Sequence, residues 1–309
     1  MLRIGLDLGG TKTEIIALDA AGSELLRRRV PSPRDDYAAT LSNIVRLVRE
    51  AEAQLGARGT VGIGTPGAIS PATGLLRNSN STWLNGKPLL HDLIERLERD
   101  VRVENDANCF ALSEAIDGAG CGHRVVFGVI LGTGVGGGIV VDRTLLGGPN
   151  RIAGEWGHNP LPWPEDAERP GPACYCGKRG CIETFLSGPG FVRDHGGATG
   201  AILEAAEIVD AARQGELCSL ASTERYEQRL ARALAHVINI LDPDAIVLGG
   251  GMSNVARWYE TVPRLWQEWV FSERVDTPLL RNRHGDSSGV RGAAWLGANG
   301  GASARGARP

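Results

Sequence analysis

The sequence predicts an α/β fold with a largely parallel sheet, laid down twice. Short Ile-, Leu- and Val-rich strands alternate with amphipathic helices, the pattern of strands joined by crossover helices. Several strands stop on glycine. Two such stops, Leu8-Gly9-Gly10-Thr11 and Leu131-Gly132-Thr133-Gly134, occupy matching frames: each separates a strand from a second β-branched strand, and each reaches an aspartate, Asp19 or Asp142, ten residues after its first glycine.

In chain order, Leu2 to Leu8 reads as a buried strand and Thr13 to Leu18 as a second, which Asp19-Ala-Ala-Gly22 turns into a third around Leu25. Leu41, Ile44, Val45 and Val48 share one helix face. Strand Thr60 to Gly64 runs into Thr65-Pro66-Gly67. Strand Val101 to Glu104 runs into Asn105-Asp106, and a helix follows from Ala107 to Ala115. In the second half, Leu230, Leu234, Val237, Ile238 and Leu241 line a long helix that leads to Ala245–Leu248 and Gly249-Gly250-Gly251. Asp286, Ser287 and Ser288 offer caps for a last helix reaching Leu296. Beyond it the chain is Gly, Ala, Ser and Arg, a composition expected to be disordered.

The 309 residues are enough for about two domains, and 42% are apolar, which supports a sizeable core. The 33 basic and 36 acidic side chains leave a net charge of −3, which argues against an electrostatic grip on nucleic acid. The longest uncharged stretch, Val125 to Val141, is 17 residues with six glycines, short of the ~20 apolar residues of a membrane span. Asp7 interrupts the apolar start that a signal peptide would need. The expectation is a cytoplasmic protein whose six cysteines form no disulfide framework. Glycine is in excess, 43 residues, about twice the usual share.

Glycine after a strand lets backbone N–H groups approach an anion. Three turns offer this: Gly9, Gly10, Thr11, Lys12 and Thr13; Gly132 to Gly138; and Gly249, Gly250 and Gly251. Gly132, Gly134 and Gly137 spell G-x-G-x-x-G, but Ile139-Val140-Val141 continues as a strand where the dinucleotide motif requires a helix. Each turn alone reads equally as a tight hairpin. Their repetition in matched halves favours phosphate contact, with Thr11, Thr133 and Lys12 adding hydroxyls and a cation. Two roles fit Asp7: holding Mg²⁺ against phosphates, or bonding the next backbone amides as a turn residue. Two also fit Asp106: helix N-cap, and general base for a hydroxyl attacking a γ-phosphate, with Asn105 beside it for a neighbouring hydroxyl. The strongest local signal is His158 with Cys174, Cys176 and Cys181, a donor set for a structural, tetrahedral Zn²⁺. Glu155 and Glu183 flank it.

Asp7-Leu-Gly-Gly-Thr-Lys12, Glu104-Asn-Asp-Ala-Asn108, Leu131-Gly-Thr-Gly-Val-Gly-Gly-Gly138, Gly154-Glu-Trp-Gly-His158 and Cys174-Tyr-Cys-Gly-Lys-Arg-Gly-Cys-Ile-Glu183 together resemble the ROK sugar kinases, from Met1 to about Leu296. Asn78 to Gly86, Glu155 to Trp163 and His284 to Trp295 look most like the fructokinase/mannokinase branch. The resemblance implies an actin-like ATPase (ribonuclease H-like) fold of two lobes with a nucleotide and sugar cleft between them. Its expected boundaries are 1–118 with a returning helix at 288–297, then 119–287 with a zinc knuckle at 154–183, and a tail at 298–309. It implies Asp106 as the base at the 6-hydroxyl of fructose, with mannose next. It places Asn105, Glu155, His158, Glu183, Asn80 and Gly67 on the sugar, with His158 also on zinc. It puts ATP and Mg²⁺ at Asp7, Gly9 to Thr13 and Gly132 to Gly134, and the adenosine at Gly249 to Gly251. N-acetylglucosamine or glucose is the alternative substrate. A non-catalytic sugar sensor is the alternative of another class, against which the presence of Asp106 speaks. Family members are commonly dimers, so a homodimer is expected. The family's repressors carry a DNA-binding domain before the first strand; with six residues ahead of Asp7, none is expected here.

Overall fold

The computed structural model describes residues 1–297. The stretch 298–309, expected to be a disordered tail, lies outside the described residues. Two compact units divide the chain: 1–122 with 138–153 and the segment from 286 onward, and 123–137 with 154–285.

The first unit begins with β1 (Leu2–Leu8), β2 (Lys12–Leu18), β3 (Glu24–Pro31), α1 (Tyr37–Leu55) and β4 (Gly59–Thr65). A small hairpin, β5 (Ala68–Ile69) and β6 (Leu76–Arg77), precedes α2 (Leu89–Leu97), β7 (Val101–Asn105) and α3 (Asp106–Ile116). The five long strands form one sheet in the order β3-β2-β1-β4-β7. Strands β1, β4 and β7 are parallel, β2 runs against them, and β3, antiparallel to β2, returns to their direction. The register puts Asp7 opposite Gly64, and Thr65 opposite Asn105, so three strands deliver their carboxyl ends to one edge. In open α/β sheets that edge is where ligands bind.

Leu2, Ile4, Leu6 and Leu8 alternate along β1 into a core shared with Leu41, Ile44 and Val48 of α1 and Leu89 and Leu93 of α2. The two-residue period of the strand thus meets the 3.6-residue period of the helices. Helix α1 starts at Asp36, whose carboxylate accepts the Ala39 N–H at 2.9 Å.

The chain continues through β8 (Val125–Leu131), β9 (Val135–Val141), β10 (Thr144–Leu145), α4 (Ile182–Leu186), α5 (Gly188–Thr199), α6 (Ala205–Arg213), α7 (Leu217–Leu241), β11 (Ala245–Gly249), α8 (Trp258–Leu265), β12 (Leu279–Arg281) and α9 (Ser288–Leu296). The second sheet has the order β10-β9-β8-β11-β12. β8, β11 and β12 are parallel, Val126 opposite Ala245 and Ile246 opposite Leu279. Leu230, Leu234 and Ile238 of α7 are buried, and Tyr226 stacks on Trp258 at 4.5 Å between ring centroids.

Helix α9 returns to the first unit and covers the face of its sheet opposite α1. The approach is backbone on backbone. A Cβ on Gly5 would lie 2.2 Å from the Val290 carbonyl oxygen, one on Gly62 1.9 Å from that of Ala293, and one on Gly292 1.7 Å from that of Cys109 in α3. Any side chain at these three positions would force the helix off the sheet or off α3.

Gly292→Ala is therefore expected to lower stability by about 2 kcal/mol or more. The control is Gly197→Ala on α5, where an added methyl meets nothing within 4 Å; it should raise stability by roughly 0.5–1 kcal/mol. Urea unfolding of both variants checks the pair, and equal midpoints would remove the packing argument.

Candidate active site

At the shared edge of the first unit the β1–β2 turn is closed by the Gly9 N–H bonding to the Lys12 carbonyl at 3.0 Å. Ser32 ties it down, donating its hydroxyl to the Gly9 carbonyl at 2.7 Å and its N–H to the Thr11 carbonyl at 3.0 Å. Thr11 and Lys12 stay exposed, whereas Thr13 is buried with its hydroxyl 2.8 Å from that of Ser32. The turn presents backbone and two side chains, and Thr13 braces it from behind.

Asp7 is the last polar residue of β1 before this turn. Burial of its carboxyl, then the charges of Asp106 and Glu14, push its pKa up to about 7, against the pull of Arg29. Glu14 stands opposite Asp7 across the β1–β2 pair, and its own charge is matched by Arg27 and Arg29, each at 2.5 Å. Glu14 was not singled out from sequence, because an isolated strand glutamate carries no motif.

Asp106 opens α3 as its first helical residue. The N-cap is Asn105, which corrects the capping reading of Asp106: Asn105 Oδ1 accepts the Ala107 N–H at 2.9 Å. The Asn105 side-chain amide donates to the Gly67 carbonyl at 3.3 Å. Asp106 Oδ1 also accepts the Ala107 N–H, at 2.8 Å, and the helix start favours a negative charge there. Glu104, one turn from Asn108, accepts from its amide at 3.1 Å and from Arg151 at 2.8 Å. Gly67 has φ 83°, and a Cβ there would strike the Arg77 carbonyl oxygen at 2.2 Å. Only glycine lets the β5–β6 hairpin fold back so closely. The loop after β6 is locked by Asn85, which accepts from the Ser79 N–H and donates to its carbonyl, both at 2.9 Å, and Asn80 is exposed on it.

In the second unit the Gly132–Gly134 turn is closed at 2.9 Å, and the Gly132 carbonyl accepts the first N–H of α5, from Gly188, at 2.8 Å. Glu183 of α4 reaches the same turn, its Oε2 accepting the Val135 N–H at 3.0 Å. Glu155 is exposed before a short turn, Trp156–His158. Trp156 anchors that turn: its indole N–H donates to the Gly136 carbonyl at 3.0 Å and its ring meets Phe127 edge-on at 5.5 Å. Sequence gave Trp156 no role of its own.

His158, Cys174, Cys176 and Cys181 bring one donor atom each within 4.8 Å of one another. Cys176 and Cys181 sulfurs are 3.6 Å apart, and His158 Nδ1 is 3.6 Å from the Cys174 sulfur. Two thiolates on a tetrahedral Zn²⁺ at ~2.3 Å each would stand about 3.8 Å apart, and a disulfide about 2 Å. The donor set and its spacing fit zinc. His158 Nε2 faces the other way, 2.9 Å from the Tyr175 hydroxyl.

Gly250, at φ 80°, lies so close to Leu131 that a Cβ would be 2.4 Å from its carbonyl oxygen, while Gly251 faces open space. A cavity of about 1180 Å³ in this unit joins Gly251 to Gly132 and Thr133. Gly249 and Gly250 support it from the strand end and do not line it. Besides polar side chains, its wall includes Gly188, Pro189 and Val192 of α5, Ala205, Ala206 and Val209 of α6, and Met252 and Val255 after β11. None of these small or apolar residues has chemistry that marks it in a sequence.

Among the described residues no helix is long and apolar enough to cross a membrane. An N-acetyl-D-glucosamine kinase of Pectobacterium atrosepticum is 42% identical over 298 residues, covering 94% of this chain and 97% of its own. The crystal structure of a ROK hexokinase from Thermus thermophilus superposes with a TM-score of 0.85 at 30% identity, covering 95% of this chain and 97% of the other. That of a ROK family glucokinase from Streptomyces griseus, in complex with glucose and AMPPNP, gives 0.75 at 30% identity, covering 96% and 99%. The fold is accordingly the actin-like α/β ATPase fold. The ROK family model matches residues 3–299, and the chain belongs to the ROK family.

Proposed function

We propose that the chain is an ATP-dependent kinase of N-acetyl-D-glucosamine, transferring the γ-phosphoryl group to the 6-hydroxyl. The observation that carries the kinase reading is Asp106: a carboxylate at the first position of α3, beside Asp7 on the carboxyl edge of three parallel strands. The choice of sugar rests on relatives 42–43% identical over nearly the full chain, which are named N-acetyl-D-glucosamine kinases. Fructose, expected first from the sequence, gives way to that alternative.

Asp106 takes the proton of the 6-hydroxyl as its oxygen attacks the γ-phosphorus, and ADP leaves with the electrons of the broken P–O bond. Asn105, locked by its cap and by Gly67, holds a neighbouring hydroxyl. The second unit by itself offers Glu155, Glu183 and His158 Nε2 as sugar-binding groups, Glu183 from a position fixed by the Val135 N–H. In the first unit the amides of Gly9–Lys12 suit phosphate; in the second those of Gly132–Gly134 do, and the cavity beyond Thr133 and Gly251 takes the base. Mg²⁺, held at Asp7, would neutralise phosphate charge there. Zn²⁺ on His158 Nδ1 and the three cysteines would fix the imidazole so that Nε2 carries the proton and donates.

ADP release with ATP and Mg²⁺ is expected to be fastest, in kcat/KM, with N-acetylglucosamine among that sugar, fructose, mannose, glucose and N-acetylmannosamine. A lead for fructose would restore the first expectation. Asp106→Asn should cut kcat by about 10²–10⁴ while sugar affinity is kept; near-normal turnover would remove the base. Cys176→Ala should lose zinc by elemental analysis and raise the sugar KM together. Full zinc occupancy in that variant would mean a different ligand set.

Asp7 gives a pH signature in protein free of metal and nucleotide. Its pKa is raised in the folded state, from 3.8 to about 7. Between these values the folded chain keeps a proton that the unfolded chain releases, so stability falls as pH rises through the window. Asp7→Asn should gain Tm over the parent progressively from about pH 4 to pH 7 and hold that gain above. With Mg²⁺ and ATP added, the parent should gain more stability than the variant. Parallel Tm profiles across pH would refute the buried-charge account.

A further inference from the structure

The wall of the second unit's cavity carries an ion pair that the proposed mechanism does not use. Arg257, just before α8, lines the cavity, as does Thr223 of α7. One helical turn beyond Thr223 lies Glu227, a carboxylate only 1% exposed. Arg257 meets it as a fork: Nε on Oε1 at 2.6 Å and Nη2 on Oε2 at 2.9 Å. Glu224 adds a looser contact at 3.8 Å.

A buried carboxylate is costly to desolvate, and an ion pair of this kind contributes little over an apolar pair of the same volume. What the pair does achieve is orientation. An arginine side chain 43% exposed would otherwise sweep many rotamers. Here two of its nitrogens are committed to one rigid carboxylate, which leaves Nη1 and the guanidinium plane as the presented surface. That surface carries only N–H donors and a flat cationic face. It suits the acceptor nitrogens and π-face of an aromatic heterocycle. Ala206, Val209, Met252 and Val255 give the same cavity apolar walls fit for a planar ring.

We infer that Arg257 binds the purine base of the phosphate donor, and that Glu227 is the positioning residue that holds its guanidinium in place. This rests on the reading above that the cavity takes the nucleotide. It gives the nucleotide a direction, with phosphates at Gly132–Thr133 and the base at Arg257.

The test compares the parent with Arg257→Gln, with Glu227→Gln, and with the double variant, in which no charge is left buried without a partner. Expected are a rise of about tenfold in the KM for ATP in all three, with kcat and the sugar KM within twofold of the parent. Adenosine binding by calorimetry should weaken by the same factor, and tripolyphosphate binding should not change. An unchanged KM for ATP in the folded double variant overturns the proposal. Equal losses for adenosine and tripolyphosphate would also overturn it, since the arginine would then be serving the phosphates. Adenosine binding is read without turnover. A parent that phosphorylates no sugar but binds adenosine through Arg257 would therefore sink the kinase reading and leave this one standing.

Discussion

The first unit depends on how closely one helix can lie on a sheet. Gly5, Gly62 and Gly292 remove the side chains that would hold α9 away from β1, β4 and α3. The two elements that carry the candidate acids, β1 with Asp7 and α3 with Asp106, are thereby clamped to one rod. Its first turn comes close to the chemistry: a Cβ on Gly289 would be 3.8 Å from Asp7 Oδ2. Because protein interiors are nearly incompressible, a methyl group on that rod displaces the carboxylates at its end as well as the core around it.

Charge is crowded at the same edge. Asp106 and Glu14 add to the cost of ionising the buried Asp7, and the fold answers unevenly. Glu14 receives two arginines, while Asp7 is left raised. A carboxyl that is expensive to ionise in the free protein is a good partner for a cation arriving with phosphates, since binding then relieves a penalty already present. The instability is local, and under the proposed function it marks the place of the cation.

Much of this was legible in the sequence, for physical reasons that differ from residue to residue. Strands that end in glycine, and donors as distinctive as three cysteines and a histidine, act locally, and locality is what a sequence displays. The register that sets Asp7 opposite Gly64 and Thr65 opposite Asn105 follows from those strands. Helix α5 was not legible: four of its twelve residues are glycine, and it is held by Ser187 accepting the Gly190 N–H and by buried Phe191 and His195, with no apolar stripe. The cavity wall that α5 and α6 build was lost with it. The relatives favour the alternative sugar over fructose. Asn85, within one of the segments that suggested fructose, spends its side chain on the backbone of Ser79 and serves the loop's own architecture.

The return of α9 to β1 also orders events in time. A chain made from its amino terminus presents β1 and β4 early, yet the groove over Gly5 and Gly62 stays uncovered until residues 288–296 have been synthesised. All of 123–137 and 154–285 is made in between. The second unit has every one of its strands and helices before the first can close, which inverts the usual amino-terminal-first order of assembly on the ribosome. Its nascent partner must wait, with a bare glycine-lined trough facing water, for a helix that arrives last.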